Sequence, residues 1–163
     1  MKSCSFTGHR IIPNDHIKKL DSLLSRAIEF AYSEGCRNFY TGGALGFDTM
    51  AAKQLLSYRM YHSDVRIIVA VPCREQSKKW SDAERDMYDY ILANADEVVF
   101  CSEEYTKDCM KKRNEYLAEV CDILIAYSGR YSSGSAQTVR MATRLGKEVY
   151  NLYPTVSGEN VTL

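Results

Sequence analysis

The sequence has no excess of either charge sign. Lys plus Arg is 21 and Asp plus Glu is 21, so the formal net charge is zero. That weighs against a protein that holds nucleic acid by bulk electrostatics, while leaving room for a local basic patch. Long hydrophobic runs are lacking as well. Stretches such as Ile67 to Val71 and Val98 to Cys101 are strand-length, far below the ~20 residues of a membrane span. The opening Met-Lys-Ser-Cys has no apolar stretch or small-residue cleavage site, so a cytoplasmic protein without a membrane partner is expected. No Cys-x-x-Cys pair occurs among the six cysteines, and His9, His16 and His62 offer no zinc pairing. No metal and no resident cofactor are expected, and the cysteines read as reduced, small core residues. Linkers, repeats and low-complexity segments are absent too.

What is present is an ordinary globular composition over 163 residues, 45% apolar and 26% charged, which suits one domain. Short β-type runs alternate with helical patterns. Strands are expected at 2–7, 37–41, 65–71, 97–101, 122–126 and 148–152. Helices are expected at 14–35 (Asn14 as N-cap, Gly35 as C-terminal cap), 47–60, 81–95, 109–120 and 135–145. This alternation predicts an α/β fold: a single Rossmann-like doubly wound domain, with a mostly parallel sheet of about six strands and helices on both faces. The domain is expected over 1–153, with 154–163 as a loose polar tail.

In such a sheet ligands sit beyond the carboxyl ends of the strands, and the unusual sequence falls there. Gly8, His9 and Arg10 end the first strand. Gly8 permits a sharp turn or close approach, and Arg10 suits phosphate or carboxylate. After the second strand, Gly42, Gly43 and Gly46 clear side chains from a helix start where free N–H groups favour an anion, with Asp48 in the first turn. The loop is neither a Walker A motif nor Gly-x-Gly-x-x-Gly. Glu75, Gln76 and the lone Trp80 follow the third strand, and a tryptophan face suits a base. Met110, Asn114, Leu117 and Cys121 share a helical face, which puts Asn114 with the buried side beside Arg113. Gly129 to Thr138 supplies a second small-residue helix start, with Gly134, Ser135 and Thr138 as candidates.

Together these stretches resemble the YpsA-like branch of the SLOG superfamily, which also holds the LOG phosphoribohydrolases and the DNA-processing protein DprA. The matching segments are Thr7-Gly8-His9-Arg10, Gly42-Gly43-Ala44-Leu45-Gly46-x-Asp48, Pro72-x-x-Glu75-Gln76-x-x-x-Trp80, Met110-x-x-Arg113-Asn114, Asp122 to Tyr127, and Gly134-Ser135-Ala-Gln-Thr138-Val139. The resemblance runs over nearly the whole chain. It implies a Rossmann-like fold with a pocket for nucleotides or nucleotide-derived small molecules, and a homodimer. The chain departs from the hydrolase branch: Asn114 stands where that branch has Lys, and Thr138 where it has Glu. Threonine cannot activate water as a carboxylate does.

The leading expectation is therefore a nucleotide-binding sensor or regulatory module. Phosphates would lie on the glycine-loop amides, Arg10 and Arg113, ribose on Asp48, and the base near Gln76, Trp80 and Asn114. The alternative is a phosphoribohydrolase or N-glycosidase using Asp48 or Glu75. A third reading, single-strand nucleic-acid binding, has zero net charge and the lack of an aromatic and basic stripe against it.

Overall fold

The computed structural model describes residues 1–163. The elements run β1 (Lys2–Gly8), α1 (Asn14–Ser33), β2 (Cys36–Thr41), α2 (Phe47–Arg59), β3 (Arg66–Val71), α3 (Asp82–Asn94), β4 (Glu97–Phe100), α4 (Cys109–Val120), β5 (Ile123–Tyr127), α5 (Gly134–Arg144), β6 (Glu148–Asn151) and α6 (Tyr153–Ser157). The strands form one sheet in the order β4-β3-β2-β1-β5-β6. Every pairing is parallel, which makes this a Rossmann-like α/β fold. No helix is long and apolar enough to cross a membrane.

Both faces of the sheet are covered, so its central strands read as continuous apolar runs. All five residues of β5, Ile-Leu-Ile-Ala-Tyr, are buried. Phe6, Phe39, Ile67 and Ile125 point to one face, where Leu20, Leu24 and Ile28 of α1 and Phe47, Ala51 and Leu55 of α2 meet them. Leu124 and Ala126 point to the other, against Ala118 of α4 and Val139 and Ala142 of α5. The third helix joins the α1–α2 face through Tyr88 and Ile91, packed on Val69 and Val71. Its start is fixed by a reciprocal cap: Ser81 accepts from the Glu84 amide while Glu84 accepts from the Ser81 amide.

The chain winds outward from β1 to β4 and then crosses back to place β5 on the other side of β1. The two directions of winding part between β1 and β5, and a crevice opens there beyond the strand ends. Register carries Gly8 alongside Tyr127 at that edge.

Two details differ from expectation. Asn14 is the first helical residue and caps nothing. Pro13 holds the position before it, at φ −55°, because its ring presets that angle and it has no N–H to satisfy. Residues 154–163, expected as a loose tail, include most of α6, whose Val156 is buried in the α1 core. Leu163 packs beside the α4–α5 cluster. The polar composition of this stretch concealed two apolar anchors. All six cysteines are free thiols, five of them buried.

Candidate functional site

At the crevice between β1 and β5 lies a cavity of about 690 Å³, within the usual range for a small-molecule site. Its walls come from the end of β1 and the turn after it, the entry to α2, α4, the end of β5 with the β5–α5 loop, and Tyr153 of α6. Gly8, His9, Arg10, Asp48, Arg113, Asn114, Gly134 and Ser135 all line it. These residues are scattered over most of the chain, and only the sheet order brings them together.

The β1 end is shaped by packing. A Cβ on Gly8 would fall 2.5 Å from the Phe47 ring, so this glycine seats α2 against β1. At Gly46 the backbone has φ +74°, and a Cβ would fall 2.3 Å from the Arg10 carbonyl oxygen. The two loops are nested that tightly, and the Phe47 amide donates to the His9 carbonyl at 3.0 Å. The His9 ring is fixed by the Gly129 amide, which donates to Nε2 at 2.8 Å. An N–H can only donate, so Nε2 carries the lone pair and the proton of the neutral ring is on Nδ1. Burial, and then the charge of Arg130, hold the His9 pKa below its ordinary value, which keeps the ring neutral.

Arg113 is the unusual group. It is only 6% exposed, yet no carboxylate lies within 4 Å of it. Its Nη1 donates to the Gly42 carbonyl at 2.5 Å and its Nε to Asn114 Oδ1 at 3.0 Å. Burial lowers its pKa and Asp48 opposes that, but a guanidinium stays charged in any protein setting. A Cβ on Gly42 would sit 2.5 Å from Arg113 Nη1 and 2.7 Å from Asp48 Oδ2. Glycine at this position lets the two charged groups approach its backbone from either side.

Asp48 is 5% exposed. Its Oδ2 accepts from the Ala44 amide at 3.2 Å, while its Oδ1 is buried with no partner. Burial pushes its pKa up to about 6, against the pull of Arg113, the Ala44 amide and Arg10. It is the sole carboxylate lining the cavity, facing Arg10, Arg113 and Arg130. None of these three arginines has a carboxylate within 4 Å. With His9 neutral, the cavity carries three positive charges against one negative.

At the start of α5, the Ser133 side chain caps the Ala136 amide at 3.1 Å. Ser135 Oγ donates to Ser128 Oγ at 2.9 Å. The Gly134 and Ser135 amides of the first turn have no helical acceptor, so the positive end of the helix faces the cavity. Thr138 lies deeper, fully buried, with its hydroxyl donating to the Gly134 carbonyl at 3.1 Å.

Gly42, Gly43, Gly46, Glu75, Gln76 and Trp80 do not line the cavity. Gln76 Nε2 donates to the Gly43 carbonyl at 3.3 Å and to Tyr88 Oη at 3.4 Å. Trp80 packs edge-on against Tyr88, with ring centroids 5.1 Å apart. Glu75 is exposed, 3.8 Å from Lys78. Glu75, Gln76 and Trp80 follow β3, two strands away from β1, and Tyr88 of α3 draws Gln76 and Trp80 toward its own cluster.

The cavity also holds Arg130, Tyr127 and Tyr153, which the sequence did not single out. Tyr127 is the last residue of β5, and Arg130 sits between two glycines of the loop that follows, so both carried a positional signal. Tyr153 carried none. It arrives from α6, where its ring lies within 2.3 Å of the point a Gly129 Cβ would occupy. His16 Nδ1 pairs with Tyr127 Oη at 2.6 Å and braces that wall.

Comparison with known proteins agrees with this architecture. The chain is similar to the uncharacterized SPbeta prophage-derived protein YoqJ of Bacillus subtilis, 30% identical over 152 residues, covering 85% of this chain and 89% of that protein. It is 25% identical over 162 residues to a UPF0398 protein of Bacillus thuringiensis, covering 94% of this chain and 88% of the relative. Among solved structures, Streptococcus pneumoniae DprA superposes with TM-score 0.64 at 18% identity, over 92% of this chain and 50% of that one. Helicobacter pylori DprA, described by its single-stranded DNA binding mode, gives 0.64 at 17% identity over 91% and 63%. The structural-genomics target TM1055 gives 0.60 at 14% identity over 99% and 83%. At these identities the structural likenesses speak to the fold. This chain spans half of the pneumococcal DprA chain and under two thirds of the H. pylori one.

One expectation is corrected here. Zero net charge was read as weighing against nucleic acid as a partner. The same fold occurs in a protein described as binding single-stranded DNA, so that exclusion falls. Overall neutrality also conceals a local surplus of three guanidiniums over one carboxylate in the cavity. The YspA SLOG family model matches residues 12–154, and the chain belongs to that family, within the SLOG superfamily.

Proposed function

We propose that the cavity between β1 and β5 binds a nucleotide or nucleotide-derived ligand through its phosphates. One observation carries this reading. Arg10, Arg113 and Arg130 converge on one cavity with no carboxylate within 4 Å of any of them. Guanidinium forks unsatisfied by the protein suit the oxygens of a phosphate, and the open first-turn amides of α5 add to the same field. The cavity volume of about 690 Å³ accommodates a nucleotide-sized molecule.

The chemistry available favours binding over hydrolysis. Thr138 is committed to the helix interior, and Glu75 lies outside the cavity beside Lys78. Asp48 is the one carboxylate lining the cavity, so a hydrolytic reading would rest on it alone.

Calorimetric titration with adenosine, AMP, ADP, NAD and a short single-stranded oligonucleotide tests the reading, with each ligand recovered and chromatographed afterwards. The expected result is binding that requires phosphate, with AMP recovered intact and adenosine inert. Binding of the oligonucleotide alone, with a steep salt dependence, would move the reading to a DNA-binding role like that described for H. pylori DprA. Release of free base would make the protein a hydrolase.

A further inference from the structure

The Asp48 side chain is the one part of the cavity whose role the arginines do not explain. A carboxylate among three arginines is expected to pair with one of them. Asp48 does not: its Oδ1 is buried without any partner, and its Oδ2 has only the Ala44 amide. A phosphate drawn in by the arginines brings acceptor oxygens, and an ionised carboxylate lining the same cavity has nothing to donate to them. The same carboxyl carrying a proton becomes a donor, and the anion can accept from it. Resting on the phosphate-binding reading above, the geometry points to Asp48 entering the complex as a carboxylic acid, donating its proton to the bound anion, so that ligand binding takes up one proton.

The groups that face Asp48 are few. Arg113 approaches from α4 and Arg10 from the β1–α1 turn, and the Ala44 amide comes from the glycine loop. His9 and Arg130 line the same cavity from the β1 end and the β5–α5 loop. No second carboxylate is present to share the proton. Burial already holds the carboxyl near 6 despite both arginines, and an anion placed beside it shifts it further in the same direction. Neutral His9 does not compete for the proton, because its acceptor nitrogen is engaged by the Gly129 amide.

The proposal separates from a plain acceptor role by sign. If the ionised carboxylate instead accepted a bond from a ligand hydroxyl, Asp48→Asn would weaken binding throughout. If it donates as an acid, Asp48→Asn mimics the bound state and relieves the repulsion. The probe is AMP between pH 7 and pH 8.5, where its phosphate is already dianionic. The wild-type affinity is expected to fall about tenfold per pH unit through this range, as expected for uptake of one proton. The Asp48→Asn affinity is expected to stay flat and to exceed wild type by more than a hundredfold at pH 8.5. Titration of wild-type protein in two buffers of different ionisation enthalpy gives a second readout that needs no variant, with close to one proton taken up per AMP at pH 7.5. Zero proton uptake, or weaker binding by Asp48→Asn at every pH, overturns the proposal while leaving phosphate binding intact. Absence of AMP binding by either protein at any pH overturns the phosphate-binding reading itself.

Discussion

Two sets of arginines in this protein share a side chain and differ in company. Around the β3–β4 side and the amino edge, each has a carboxylate: Arg37 with Asp64, Arg59 with Asp96, Arg66 with Glu97, and Arg74 with Glu103. In the crevice between β1 and β5, Arg10, Arg113 and Arg130 have none. The paired arginines are mostly half-exposed and worth little individually. The unpaired group includes Arg113, a buried charge held by neutral oxygens alone, which is costly for the free protein. A fold that keeps such a group without an acidic partner leaves an opposite charge to be supplied from outside.

The sharpest way to break this contrast is Arg113→Met. Affinity for AMP is expected to fall more than a hundredfold by calorimetry, because the deepest donor is lost. The Gly42 carbonyl and Asn114 Oδ1 lose their donor as well, and each unsatisfied buried acceptor costs about 1–3 kcal/mol. Removal of the buried charge offsets part of that cost, so denaturant unfolding is expected to show a smaller loss than those two acceptors alone would give.

Smaller, and confined to the ligand, is the effect of Arg10→Ala or Arg130→Ala. Each removes one charged donor at the cavity wall, and about tenfold in affinity is expected from each. The salt dependence of AMP binding becomes shallower with stability nearly unchanged. Equal affinity in both variants and wild type would show that these arginines do not face the ligand.

Asp48 sharpens the comparison from the acidic side. Its folded pKa of about 6 lies above its ordinary value of 3.8, so the folded protein holds this proton to higher pH than the unfolded chain does. Stability from this group therefore falls as pH rises between those two values, and the full penalty stands above pH 6. Two pKa units correspond to about 3 kcal/mol as an order of magnitude. Asp48→Asn is thus expected to melt several degrees higher than wild type at pH 7.5, with the gap closing toward pH 4. A variant that melts lower at pH 7.5 would show that the carboxylate stabilises the free protein.

The smallest effect belongs to the paired group. Arg74→Ala removes an exposed pair with Glu103 and a contact over Phe100. Stability is expected to change by under about 1 kcal/mol, and AMP affinity not at all.

Much of the architecture was legible because its signals are local. Apolar runs such as Ile67–Val71, glycines after strands, and the Leu20–Leu24–Ile28 spacing of α1 each announce their element within a few residues. The same holds for the individual loops that meet at the crevice. Which loops meet was not legible. That depends on the crossover placing β5 beside β1, a pairing between residues more than a hundred positions apart. Sequence order put Gln76 and Trp80 on equal footing with Arg113, whereas sheet order sends them to the α3 cluster. Gly8 illustrates a second limit. Its place after a strand suggested a sharp turn or approach to a ligand; it lines the cavity, but the space a Cβ would need is taken by the Phe47 ring, a packing role the sequence did not announce. Tyr153 illustrates a third: it belongs to a wall of the cavity through α6, in a stretch whose polar composition announced no structure.

The central claim is that the three unpaired arginines await a phosphate, and a crystal structure of the protein soaked with AMP tests it most directly. The account predicts the phosphate in the β1–β5 crevice, within hydrogen-bonding distance of at least two of Arg10, Arg113 and Arg130. AMP stacked on Trp80 or bound elsewhere on the protein, with the crevice empty, would contradict it.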